Sequence, residues 1–163
     1  MRRLDIHVSG GCQCGAVRYK ATAMLDNAHL CHCRMCQKAV GGVFAALVAA
    51  PKDAFTIMRG KPAVFRSSEF VERGFCAACG TPLFFNDITA NRINLTMGSL
   101  DDPSLFPPQA NTGIEGRVSW FAELAGIADY GTTEGDGREN WATAIRQSNH
   151  QHPDHDTDKW PPE

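Results

Sequence analysis

A mainly β fold is predicted for this 163-residue chain, on two observations. Its apolar runs are short and rich in β-branched or aromatic residues, and Gly, Pro, Asn or Asp punctuates them. Runs of that kind between turn formers are strand signals. The length suits one domain. The β-rich domain is expected over residues 6–131, and a C-terminal extension, partly helical or mobile, over 132–163.

The expected strands are residues 16–20, 43–48, 55–58, 63–65, 70–75, 82–85 and 93–97. Gly60-Lys61-Pro62 separates two of them as a turn, because Gly accepts positive φ and Pro fixes φ nearby. Residues 36–46 open either as strand or as a short helical turn, and periodicity alone leaves both open. Residues 98–109 hold three prolines and the turn former Asp101-Asp102-Pro103, which predicts an ordered loop. Beyond residue 132 aromatics thin out, residues 139–148 form one short helix, and residues 149–163 make a polar, solvated, mobile tail carrying His150, His152 and His155.

Charge and hydropathy exclude several classes of function. The formal net charge is −2, so nothing global attracts nucleic acid or an acidic membrane surface. No apolar run approaches the roughly 20 residues that span a bilayer. Arg2 and Arg3 are not followed by an apolar signal-peptide core, so a cytoplasmic location is expected. No feature specifies an oligomeric state. Seven cysteines in a reducing compartment point to metal before disulfides, and an odd count would leave one unpaired.

The cysteines form clusters: Cys12-Gln13-Cys14, Cys31-His32-Cys33 with Cys36, and Cys76-Ala77-Ala78-Cys79. The last has zinc-knuckle spacing, and Gly80 can take the left-handed conformation that such a turn needs. A redox pair with the same spacing expects a helix next, whereas Pro82-Leu83-Phe84-Phe85 reads as strand. In an extended segment residues i and i+2 share a face, so Cys12 and Cys14 can complete a four-thiolate structural zinc with Cys76 and Cys79. Cys31, Cys33 and Cys36 remain as a second zinc site. Three ligands with an open fourth position is the catalytic arrangement, giving two zinc ions per chain. His29 would share the face of Cys31 and is the alternative fourth ligand, while His32 points the other way. Three free thiols are the remaining alternative, disfavoured by their proneness to oxidation.

In order and neighbours these clusters resemble the glutathione-dependent formaldehyde-activating enzyme family, which includes centromere protein V. The matching segments run from Gly10 through Cys12-Gln13-Cys14-Gly15 to Tyr19, from Cys31 through Cys36 to Lys38, and from Phe75 through Cys76 and Cys79 to Leu83. Weaker matches lie at 98–103 and 116–121. The resemblance implies a β-tent fold stapled by a structural zinc on Cys12, Cys14, Cys76 and Cys79, with a labile active-site zinc on Cys31, Cys33 and Cys36. It implies a carbon–sulfur lyase that joins glutathione, its small-thiol partner, to formaldehyde as S-(hydroxymethyl)glutathione. Arg34, Lys38, Arg66, Arg73 and Arg117 are candidate partners for a substrate carboxylate. The chain departs from the family at Asn111 and Gly116, where a histidine and a serine are usual.

Overall fold

The computed structural model describes residues 1–129, 131 and 139–161. In chain order its strands are β1 (Arg3–Leu4), β2 (Val8–Gly11), β3 (Arg18–Ala21), β4 (Met24–Leu25), β5 (His29–Cys31) and β6 (Ala45–Pro51), then β7 (Phe55–Arg59), β8 (Ala63–Arg66), β9 (Val71–Phe75), β10 (Pro82–Asp87), β11 (Arg92–Thr96) and β12 (Ala110–Thr112). Helix α1 (Arg34–Val40) lies between β5 and β6, and α2 (Glu139–Ser148) follows the last strand. The mainly β expectation is met.

Seven strands form one sheet in the order β12-β5-β6-β11-β10-β9-β8, antiparallel except for the parallel pair β12–β5. A second sheet of three strands, β2-β3-β7, faces it, and β1 pairs with β4. Strand β6 runs Ala-Ala-Leu-Val-Ala-Ala-Pro and is almost wholly buried, as a central strand covered on both faces requires. Its alternation sorts the interior into two cores. Val48 and Ala50 join Tyr19, Leu83, Ile93 and Leu95 in the main core, while Ala45 and Leu47 pack with Cys36 in a smaller cluster. Tyr19 is fully buried, stacks at 5.5 Å on Phe55 and shares a 2.6 Å hydrogen bond with Ser99.

The stretch 36–46 resolves as helix first: α1 spans Arg34–Val40, and Gly41 caps it in the left-handed conformation before β6 begins. The short strands β5 and β12 escaped the sequence pattern, being three residues each without alternation. The predicted helix 139–148 is α2. The segment 12–14, expected to be extended, is instead a turn closed by Gly15 N–H to Cys12 O at 3.0 Å. Its two sulfurs converge through that turn, not through strand alternation.

The tail differs most from expectation. Residues 150–160 lie across the Cys12–Gly15 turn, and His152 is buried. His152 N–H donates to Gln13 O at 2.7 Å, and the Trp160 indole N–H donates to Cys14 O at 2.7 Å. Arg18, buried, pairs with both Asp101 and Asp156. A solvated-tail composition overlooks this because the binding rests on a few specific polar partners. The expected junction at residues 131–132 borders 132–138, which lie outside the described residues. Among those described, no helix is long and apolar enough to cross a membrane.

Candidate metal centres

The structure brings the seven cysteines into two groups, and all are free thiols. Sγ atoms of Cys12, Cys14, Cys76 and Cys79 all lie within 4.8 Å of one another. Two turns build this group. In the first, Cys12 N–H donates to Val17 O, and Val17 N–H donates to Cys12 Sγ at 3.2 Å. In the second, between β9 and β10, Gly80 N–H donates to Cys76 O at 2.9 Å with Gly80 at φ +79°, which only glycine adopts freely. Gln13 N–H donates to Thr81 Oγ1 at 3.0 Å and ties the turns together. The group belongs to the main core and joins the small sheet to the large one.

Its donor set fits zinc. Tetrahedral zinc with bonds of about 2.3 Å sets sulfurs about 3.8 Å apart, and Cys14 Sγ stands 3.6 Å from Cys12 Sγ and 3.8 Å from Cys76 Sγ. Burial pushes the Cys12 thiol up to about 12. Burial raises Cys79 as well, but hydrogen bonds from the Thr81 hydroxyl and N–H outweigh it and bring that thiol down to about 6. Four sulfurs this close become thiolates together only beside a cation.

Cys31 ends β5, Cys33 is the N-cap of α1, and Cys36 sits in its first turn. Cys31 and Cys33 Sγ are 3.5 Å apart, and the three sulfurs lie within 4.8 Å of one another. Cys36 N–H donates to Cys33 Sγ at 3.4 Å, so the helix start itself sets the third ligand. Burial pushes Cys36 up to about 12, partly offset by Arg73. Spacing and chemistry again suit zinc. Among the described residues no fourth His, Cys, Asp or Glu joins the three.

The open side faces a cavity of about 300 Å³ whose wall includes His29, Cys31, Cys36, Arg73, Phe85 and Asn94. It lies on the face of the large sheet opposite the main core, since Ile93 and Leu95 flank Asn94 and point inward to that core. His29 Nδ1 is 2.8 Å from Asn27 O. A carbonyl only accepts, so Nδ1–H is the donor and Nε2 is the ring nitrogen left to other partners. An adjoining cavity of about 440 Å³ is walled by Arg34, Met35, Lys38, Phe65 and Arg73.

His32 does face away from its neighbouring sulfurs. It is fully buried, edge-on to Phe121 at 4.5 Å, with Nε2 2.9 Å from Asn111 Oδ1. Both departures from the family pattern thus lie behind the centre. Asn111 holds His32, and a side chain at Gly116 would meet His32 O at 2.5 Å. Gly113, at φ +60°, passes as close to Cys33: an added Cβ would lie 2.6 Å from its N. Of the basic candidates, Arg73 lines both cavities, and Arg34 and Lys38 line the second. Arg66 donates instead to Glu69 O. Arg73 precedes Cys76 by three residues, and strand alternation was the only sequence signal for its direction.

Comparison with known proteins agrees with this picture. The fold resembles the crystal structure of a Rhodobacter sphaeroides protein with a TM-score of 0.54 and 20% identity, over 64% of this chain and 99% of that one. An uncharacterized lyase of Schizosaccharomyces pombe is 35% identical over 78 residues, 47% of this chain; the chain spans about half, 55%, of that relative's length. The model of the glutathione-dependent formaldehyde-activating enzyme family matches residues 7–115, which include all seven cysteines, and the chain belongs to that family.

Proposed function

We propose that the chain is a zinc-dependent carbon–sulfur lyase that makes and breaks the bond between a small thiol and an aldehyde, as in S-(hydroxymethyl)glutathione from glutathione and formaldehyde. Cys31, Cys33 and Cys36 would hold the active-site zinc, and Cys12, Cys14, Cys76 and Cys79 a structural one. The observation that carries this reading is a three-sulfur group with no fourth protein ligand among the described residues, open to a cavity of about 300 Å³. Family membership and the lyase-named relative support it. Bunched reduced thiols also favour a cytoplasmic setting.

Zinc held there would supply a docking point for sulfur in its thiolate form. The remaining work falls to the chain. His29 Nε2 takes the thiol proton and returns it to the aldehyde oxygen as the carbon–sulfur bond forms; cleavage reverses both transfers. Arg34 and Lys38 offer charge partners for the carboxylates of a peptide thiol. Asn27 keeps the imidazole in the tautomer this requires.

Exchange NMR on mixtures of glutathione and formaldehyde measures the rate of adduct formation directly. Catalytic amounts of protein accelerate it at least tenfold, and C36S does not. A second reading, a non-catalytic zinc module for interaction or thiol buffering, is favoured by exposed Met35 and Phe65 at the cavity wall. Metal binding without acceleration would select it.

A further inference from the structure

We infer that Arg73 is a positioning residue of the three-cysteine centre, whose guanidinium offsets the centre's surplus negative charge so that a substrate thiolate can approach. This rests on the reading that Cys31, Cys33 and Cys36 hold zinc. Three thiolates around a dication sum to one negative charge, which repels a second anion. Arg73 donates from both terminal nitrogens to Cys36 Sγ, at 3.6 and 3.7 Å. One positive charge at hydrogen-bonding distance brings the local sum to zero. The same N–H···S bonds draw electron density from the sulfur, so Cys36 donates less to its metal.

The side chain is held for that role. Its Nε donates to Ser67 Oγ at 3.3 Å, and its guanidinium lies 5.1 Å from the centre of the Phe85 ring. Three donors with fixed directions suit a planar fork and not an ammonium. The charge is also unshared. Among the described residues no carboxylate forms a salt bridge with Arg73, whereas Arg18, beside the four-cysteine group, is taken by Asp101 and Asp156. Arg73 lines both cavities, so its charge faces the space an incoming anion would occupy.

The test uses full-length protein loaded with cobalt(II), whose thiolate bands report each centre. Wild type, C36S, R73M, R73K and F85L are titrated with glutathione, and kcat and KM are measured separately. R73M keeps the stem over Phe85 but loses the charge. It should weaken glutathione uptake at the labile centre at least tenfold, raise KM more than it lowers kcat, and leave the four-cysteine bands unchanged. R73K recovers part of the loss, and F85L, which loosens the guanidinium, falls between R73M and wild type. Uptake by R73M and F85L within twofold of wild type overturns the role of Arg73. If R73M does not fold, as the four-cysteine bands would reveal, R73K and F85L carry the same comparison. A wild-type chain that binds one cobalt, or whose bands ignore glutathione, overturns the metal reading instead.

Discussion

The two cysteine groups use the same ligand chemistry on opposite faces of one sheet, and they differ in what surrounds the sulfurs. Cys12 and Cys76 are buried in the main core, Cys14 and Cys79 pack against it, and the C-terminal segment lies across the Cys12–Gly15 turn. Cys31, Cys33 and Cys36 pack on a small apolar cluster and leave one side to a cavity. Even their nearby arginines differ. Arg18 is neutralised by two carboxylates, while Arg73 turns its charge on a sulfur. A strand of five residues serves both: β9 carries Arg73 toward one centre and ends at the residue before Cys76 of the other. Four sulfurs gather in one group and three beside a cavity in the other, and the sheet keeps the two apart.

The largest effect should come from exchanging the loss between groups. C76S removes a ligand from the core staple and should cost more than about 4 kcal/mol of a total that is typically about 5–15. C36S should cost far less stability and abolish activity. Thermal denaturation followed by circular dichroism, beside the exchange assay, reads both; equal melting temperatures for the two variants would erase the distinction.

Next in size is G113A. Its new methyl strains a positive φ and presses on Cys33 N, at a cost of about 1–3 kcal/mol. The expected sign is selective: one metal is lost readily to a mild chelator while the other stays. Loss of both at equal rates would mean the groups are mechanically coupled.

Much of this was legible in the sequence. Spacing alone paired the knuckle with Cys12 and Cys14, and alternation correctly turned His32 from the sulfurs. Other features were hidden for physical reasons. Cys12-Gln13-Cys14 converges through a turn because Cys12 N–H pairs with Val17 O across it, a closure no alternation rule describes. The Asn111–His32 contact needs β12 beside β5, and a three-residue edge strand has no periodicity to detect. Strand alternation was the only mark that set Arg73 apart among five basic candidates, and its partner Cys36 lies 37 residues away in sequence, on α1.

The smallest effect tests the cover of the closed group. W160A removes the indole donor to Cys14 O and should cost about 1–2 kcal/mol. Metal at the four-cysteine group should then be released a few-fold faster, while the open group is unaffected. A chelator time course on W160A and the wild type resolves this, and no change would make the tail a bystander.

That tail also sets an order of events. The Trp160–Cys14 hydrogen bond spans 146 residues and the Arg18–Asp156 pair 138, nearly the whole chain. Contacts that distant in sequence are the slowest to close, and during synthesis the first turn emerges long before its cover exists. The N-terminal cysteines must therefore meet their partners Cys76 and Cys79 first and be sealed afterwards. In a growing chain, the closed centre passes through a stage as exposed as the open one.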